Sequence, residues 1–176
     1  QDRDGDARNT AANIRLSAVF IVAFAVTFWL ASNDWLMSLE PHFASTIFGV
    51  YQFAGMFQAG IAAIILLGVW LDRRNAGFRL RADHLHDLGK LLFAFSTFWM
   101  YIWFSQYMLI WYANLPEEAG YFVARTRGAW GPLFLASMVL NWCIPFAVLL
   151  PKKTKRNSTA LATVAAVVLL GRWLGP

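Results

Sequence analysis

The sequence is short of charge. Lys, Arg, Asp and Glu make up 14% of its 176 residues, little more than half the ~25% share of a typical soluble domain. The shortage is concentrated. No charged side chain falls in 16–33, 43–71, 91–116, 128–151 or 157–171, and those five blocks hold 112 residues. About 20 apolar residues cross the hydrocarbon core of a bilayer, so four blocks are long enough to span it and the fifth is borderline. This pattern argues against a soluble globule. It predicts an all-α, polytopic transmembrane bundle of four helices with a partial fifth.

Cysteine and histidine are scarce as well, and their positions matter more than their number. The single cysteine, Cys143, lies inside an apolar block, which excludes an internal disulfide framework, a thiolate-held iron–sulfur cluster and a covalently attached haem. His42 follows the first helix, while His84 and His86 precede the third, so bis-histidine haem ligation in the bundle core is not expected. His84 and His86 fall on different faces of a helix and make a poor metal pair. With no carboxylate or histidine in the middle of any span, a complete proton wire is not expected from this chain alone; half-channels or a plain anchor are.

The formal charge of +5 does not call for a polyanion partner such as nucleic acid, because nine basic residues lie in two loops between apolar blocks, where membrane orientation accounts for them. The first fifteen residues are polar and contain no apolar core of a secretory signal. Residues 1–13 read as a polar tail, 14–150 as the four-helix bundle and 151–176 as a basic loop with a partial fifth helix. The expected spans are 14–36, 43–71, 87–114 and 129–150, with a fifth beginning near Ser158. Basic residues number twelve on the side of the tail and the 72–90 and 152–156 loops, against two on the other side. That asymmetry predicts a cytoplasmic amino terminus and cytoplasmic basic loops. Trp29, Trp35, Trp103, Trp111, Tyr112, Trp130 and Trp142 gather toward the opposite side, as an interfacial aromatic belt would.

Packing and polar residues complete the picture. Gly49, Gly55, Ala59, Gly60, Ala62, Ala63 and Gly68 give the second helix a small-residue surface suited to close association in lipid. Pro145 lacks an amide hydrogen and should free the carbonyl of Asn141 one turn back. The uncharged polar residues within the spans are Tyr51, Gln52, Gln58, Ser96, Thr97, Tyr101, Ser105, Gln106, Tyr107 and Asn141, and polar groups in lipid are expected to face the protein interior. Gln52, Gln58 and Asn141 are the candidates for lining a cavity or meeting a quinone. At one membrane face Asp83, His84, His86, Asp87 and Lys90 lie within two helical turns. At the other, Asp34, Glu40, His42, Glu117 and Glu118 form an acidic rim. Taken singly, each rim residue reads first as a solvated charge.

Four stretches are recognisable: Asn33-Asp-Trp-Leu-Met-Ser-Leu-Glu-Pro-His42, Ser45-Thr-Ile-Phe-Gly-Val-Tyr51, His86-Asp-Leu-Gly-Lys-Leu-Leu-Phe-Ala-Phe95 and Phe104-Ser-Gln-Tyr-Met-Leu-Ile-Trp-Tyr-Ala-Asn-Leu-Pro-Glu-Glu118. They closely resemble the F-subunit family of bacterial alternative complex III, which belongs with the polysulfide-reductase membrane anchors. The resemblance covers roughly 14–172. It implies a bacterial inner-membrane subunit of a respiratory or photosynthetic complex that oxidises quinol, such as menaquinol, and reduces cytochrome c or a high-potential iron–sulfur protein.

It further implies that haems and iron–sulfur clusters reside in partners: a multihaem cytochrome, an iron–sulfur subunit and a related membrane subunit to which quinol oxidation is chiefly assigned. This chain would then hold no redox centre or metal and serve assembly and proton movement. Carried over by matching positions, the proton-pathway candidates are Asp34, Glu40, His42, His86, Asp87, Lys90, Ser105, Gln106, Tyr107 and Glu117. The family subunit is longer and contains a second bundle, so the resemblance speaks for one bundle only. A purely structural anchor is the main alternative. A self-contained channel is disfavoured by the lack of a mid-membrane charge or a pair of broken helices.

Overall fold

A computed structural model describes residues 7–39, 43, 45–74, 80–113, 116–126, 128 and 130–175, without the side chains of 7–9, 11, 116–118 and 121. Among the described residues every element is helical. The long helices are α1 (Ala7–Ala31), α2 (Phe48–Arg73) and α3 (Ala82–Ala113). A shorter α4 (Pro116–Thr126) leads to α5 (Trp130–Met138), which continues without a break through a wide turn at Val139–Cys143 into α6 (Ile144–Leu149). A single turn, α7 (Lys152–Lys155), and the final helix, α8 (Ser158–Leu174), complete the chain. Among the described residues three helices are long and apolar enough to cross a membrane: Ala12–Leu39, Phe48–Arg73 and Trp130–Leu149. α3, with 32 residues, reaches about 48 Å; its Trp, Tyr, Ser and Gln content keeps it below the hydropathy of the other three.

The helix positions expected from the charge-free blocks are found, and the bundle's make-up adds to that reading. α8 packs between α2, α3 and the α5–α6 helix, and its stripe Leu161, Val164, Ala165 and Val168 is buried. α1 instead lies at the edge. It touches α2 through Trp29, whose ring fills the space beside Gly49, while Ile14, Leu16, Val19, Phe20, Ile21 and Val22 are exposed. A helix apolar all round that leaves most of its surface uncovered suits a lipid environment.

The 114–127 segment, expected as a loop, contains helix α4. Its sequence explains why: Pro116 at the first helical position lacks only an amide that would be unpaired anyway, Glu117 and Glu118 follow at the positive end, and Arg125 stands in the last turn. Gly128, in the left-handed conformation with φ 63°, turns the chain from α4 toward α5.

Along its axis the bundle has three layers. Next to the basic loops lies an aliphatic core of Ile61, Ile65, Val69, Leu85, Leu92, Leu149, Leu161, Val164 and Val168. At the opposite end Phe43, Phe48, Trp103, Ile110 and Phe122 form an aromatic cluster, in which Trp103 and Tyr107 stack with ring centroids 5.5 Å apart. Trp103 is therefore a core residue, whereas Trp35, Trp111, Tyr112 and Trp130 are exposed as belt residues would be. Between the two layers sits a polar one.

Candidate functional site

The polar layer begins at Pro145. With no amide hydrogen there, the helix cannot close its regular ladder, and the backbone widens into a π-turn over Val139–Cys143. The freed carbonyl of Asn141 is not left bare: the Gln58 amide donates to it from α2 at 2.7 Å and to the Ser96 hydroxyl of α3 at 2.9 Å. Asn141 in turn donates its side-chain amide to the Ser137 carbonyl at 2.8 Å. Three helices are thus tied together at one depth by bonds among fully buried groups, where an unmade bond is costly.

One helical turn toward the aromatic end lies Arg172. The stripe Leu161, Val164, Ala165 and Val168 continues at the next four-residue step to Arg172, so α8 aims this side chain into the bundle. Its guanidinium lies over the ring of buried Trp99, 5.1 Å from the centroid, and hydrogen-bonds to Tyr51. It also occupies the space beside Gly55, where an added Cβ would come within 2.5 Å of the guanidinium carbon. Gly55, expected as part of a helix-packing surface, makes room for a cation instead. A cavity of about 40 Å³ adjoins the guanidinium and is lined by Gln106, Ser137, Asn141, Trp103, Phe134 and Arg125 among others. That volume holds on the order of one to three waters and is too small for a quinone ring.

Two buried groups on residues that line the cavity reach no protein partner among the described residues: the Trp99 indole N–H and Asn141 Oδ1. Gln58 Oε1 is also unpaired. Such atoms mark where a small polar guest belongs.

The candidates read from the sequence do not converge on one place. Gln58, Gln106 and Asn141 meet in the polar layer, while Gln52 is half-buried on α2. Ser105 turns its hydroxyl back onto the Tyr101 carbonyl of its own helix at 2.8 Å, and Tyr107 packs on Trp103 and Phe122. Tyr101, expected to face inward, is exposed; a ring with one polar tip tolerates an apolar surround.

His86, Asp87 and Lys90 stay together at the basic end of α3, on the far side of the aliphatic core. Lys90 Nζ lies 2.8 Å from Asp87 Oδ1 and His86 Nδ1 lies 3.8 Å from it, and the hydrogen bond from Lys90 holds the Asp87 carboxyl below its usual range. Partial burial, with the cations of Lys90, Arg156 and Lys152, pushes His86 below the ordinary histidine range, and Asp87 opposes this. Asp34 is exposed at the end of the first span, with the Ser38 hydroxyl on its carbonyl. Glu40 and His42 lie outside the described residues, as does the side chain of Glu117 in the first turn of α4.

The chain matches no protein-family profile and no curated protein sequence.

The residues that sequence reasoning passed over are Arg172, Trp99 and Ser137. Arg172 ended a charge-free block and so read as the end of a span. The usable signal was its place on the buried stripe of α8.

Proposed function

We propose that this chain is a membrane subunit, itself without a redox centre, of a bacterial quinol-oxidising electron-transfer complex, and that it provides a scaffold and a polar half-channel for protons. The observation that carries the reading is the polar layer of Gln58, Ser96, Asn141, Gln106 and Arg172 within an otherwise apolar bundle. Hydroxyls and a few waters, held in place by the amides, exchange protons along hydrogen bonds without a titrating carboxylate. The cavity reaches Arg125 and Gly175 at the end away from the basic loops, while the aliphatic core separates it from His86 and Asp87. The passage is therefore one-sided, and a neighbouring subunit supplies the other half.

The resemblance of the His86 and Phe104 stretches supports the assignment to alternative complex III, with multihaem, iron–sulfur and related membrane subunits as partners. The excess of basic residues in the loops supports a cytoplasmic position for that face. The exposed apolar length of α1 supports contact with lipid or with such a subunit. Purification from membranes under mild detergent tests the reading: multihaem and iron–sulfur proteins should copurify, and Gln58→Leu and Gln106→Leu should slow proton release during quinol oxidation while assembly persists. Intact coupling in both variants would reduce the chain to a structural anchor, and copurification with no redox protein would overturn the assignment altogether.

A further inference from the structure

We propose that the cavity beside Arg172 binds a small monovalent anion of halide size together with water. A guanidinium remains charged at any pH a protein experiences, and a cation held in a membrane-embedded bundle needs compensation. Among the described side chains, what surrounds it is a ring face, the Tyr51 hydroxyl and the negative end of α8, which are dipoles and not a counter-charge. Among the described residues no carboxylate lies within ion-pair distance of Arg172.

The cavity supplies what the anion requires. The Trp99 indole N–H is buried without an acceptor, and the Gln106 amide and Arg125 line the same space. An anion accepting from Arg172 and Trp99 would leave Asn141 Oδ1 still needing a donor; one water hydrating the anion meets that need. The volume of about 40 Å³ accommodates a halide with one water and excludes phosphate esters, carboxylate-bearing metabolites and quinones.

The test is thermal unfolding of the full chain in detergent, titrated with sodium bromide or chloride against sodium gluconate at constant ionic strength. A saturable rise in Tm with the halides and none with gluconate is expected. Trp99→Phe, which removes the indole N–H with its five-membered ring and keeps one six-membered aromatic ring, should weaken the apparent halide affinity several-fold, and Arg172→Gln about tenfold or more. Arg73→Gln, on the exposed end of α2, should leave it unchanged. Equal responses to halide and gluconate would overturn the proposal, as would an unaltered halide response in Trp99→Phe or in Arg172→Gln. If Arg172→Gln does not fold, Trp99→Phe decides alone. Density for ordered water only, or for a partner's carboxylate at the guanidinium, would also overturn it.

Discussion

The side-chain amide of Gln58 stands 2.7 Å from the backbone carbonyl of Asn141, the acceptor that Pro145 strips of its partner within the helix. A sequence defect in one helix is repaired by a side chain from another, 83 positions away in the chain. The repair fixes the depth at which α2, α3 and the α5–α6 helix meet, and with it the floor of the Arg172 cavity.

That relationship predicts a non-additive pair of substitutions. Gln58→Leu strands the Asn141 carbonyl and should cost about 1–3 kcal/mol. Pro145→Ala restores an amide one turn on and should rescue part of that loss, because the freed carbonyl regains a partner in its own helix. Unfolding of the single and double variants in one detergent measures the coupling; strictly additive effects would show that the two residues are independent.

Two glycines should respond in opposite senses to alanine. At Gly171 an added Cβ would fall 2.6 Å from the Cβ of Leu140 and 2.8 Å from Asn141 Nδ2, so Gly171→Ala should destabilise by about 1–3 kcal/mol. At Gly60 nothing lies within 4 Å, and Gly60→Ala should be neutral or stabilising by up to about 1 kcal/mol. The same unfolding assay compares them directly.

His86 should titrate below the ordinary value of 6.5. Because its folded-state value is depressed, the unfolded chain takes up the proton first; acidification from the ordinary value down toward the folded one should lower stability, and nothing is lost above it. Lys90→Gln should move the His86 titration upward, since it removes a cation that opposes protonation, and Asp87→Asn should move it further down. Nuclear magnetic resonance of the imidazole follows both shifts.

How far the sequence could be read depended on the kind of force involved. Lipid excludes charge, so the charge-free blocks marked the helices, and the lost amide of Pro145 pointed to Asn141 from chemistry within one turn. Gln58 as the answering donor was not legible, because nothing local to α2 states which helix faces it. Arg172 was hidden for a related reason. A cation after an apolar run marks either the end of a span or a group turned into the bundle, and only the neighbours at Gly55 and Trp99 separate the two. α4 was obscured by its charges, which read as a solvated loop although Pro116 and the acidic pair that follows begin a helix well.

The most direct test of a one-sided polar layer in a membrane bundle uses single cysteines in a Cys143→Ala background, with silver ion, a thiol reagent small enough for a cavity of a few waters, applied from either side of sealed vesicles. Cysteine at Ser137 or Gln106 should react from the face opposite the basic loops, and cysteine at Leu92 or Val164 from neither. Labelling of Leu92→Cys or Val164→Cys from the basic face, or no labelling of Ser137→Cys and Gln106→Cys from either side, would contradict the account.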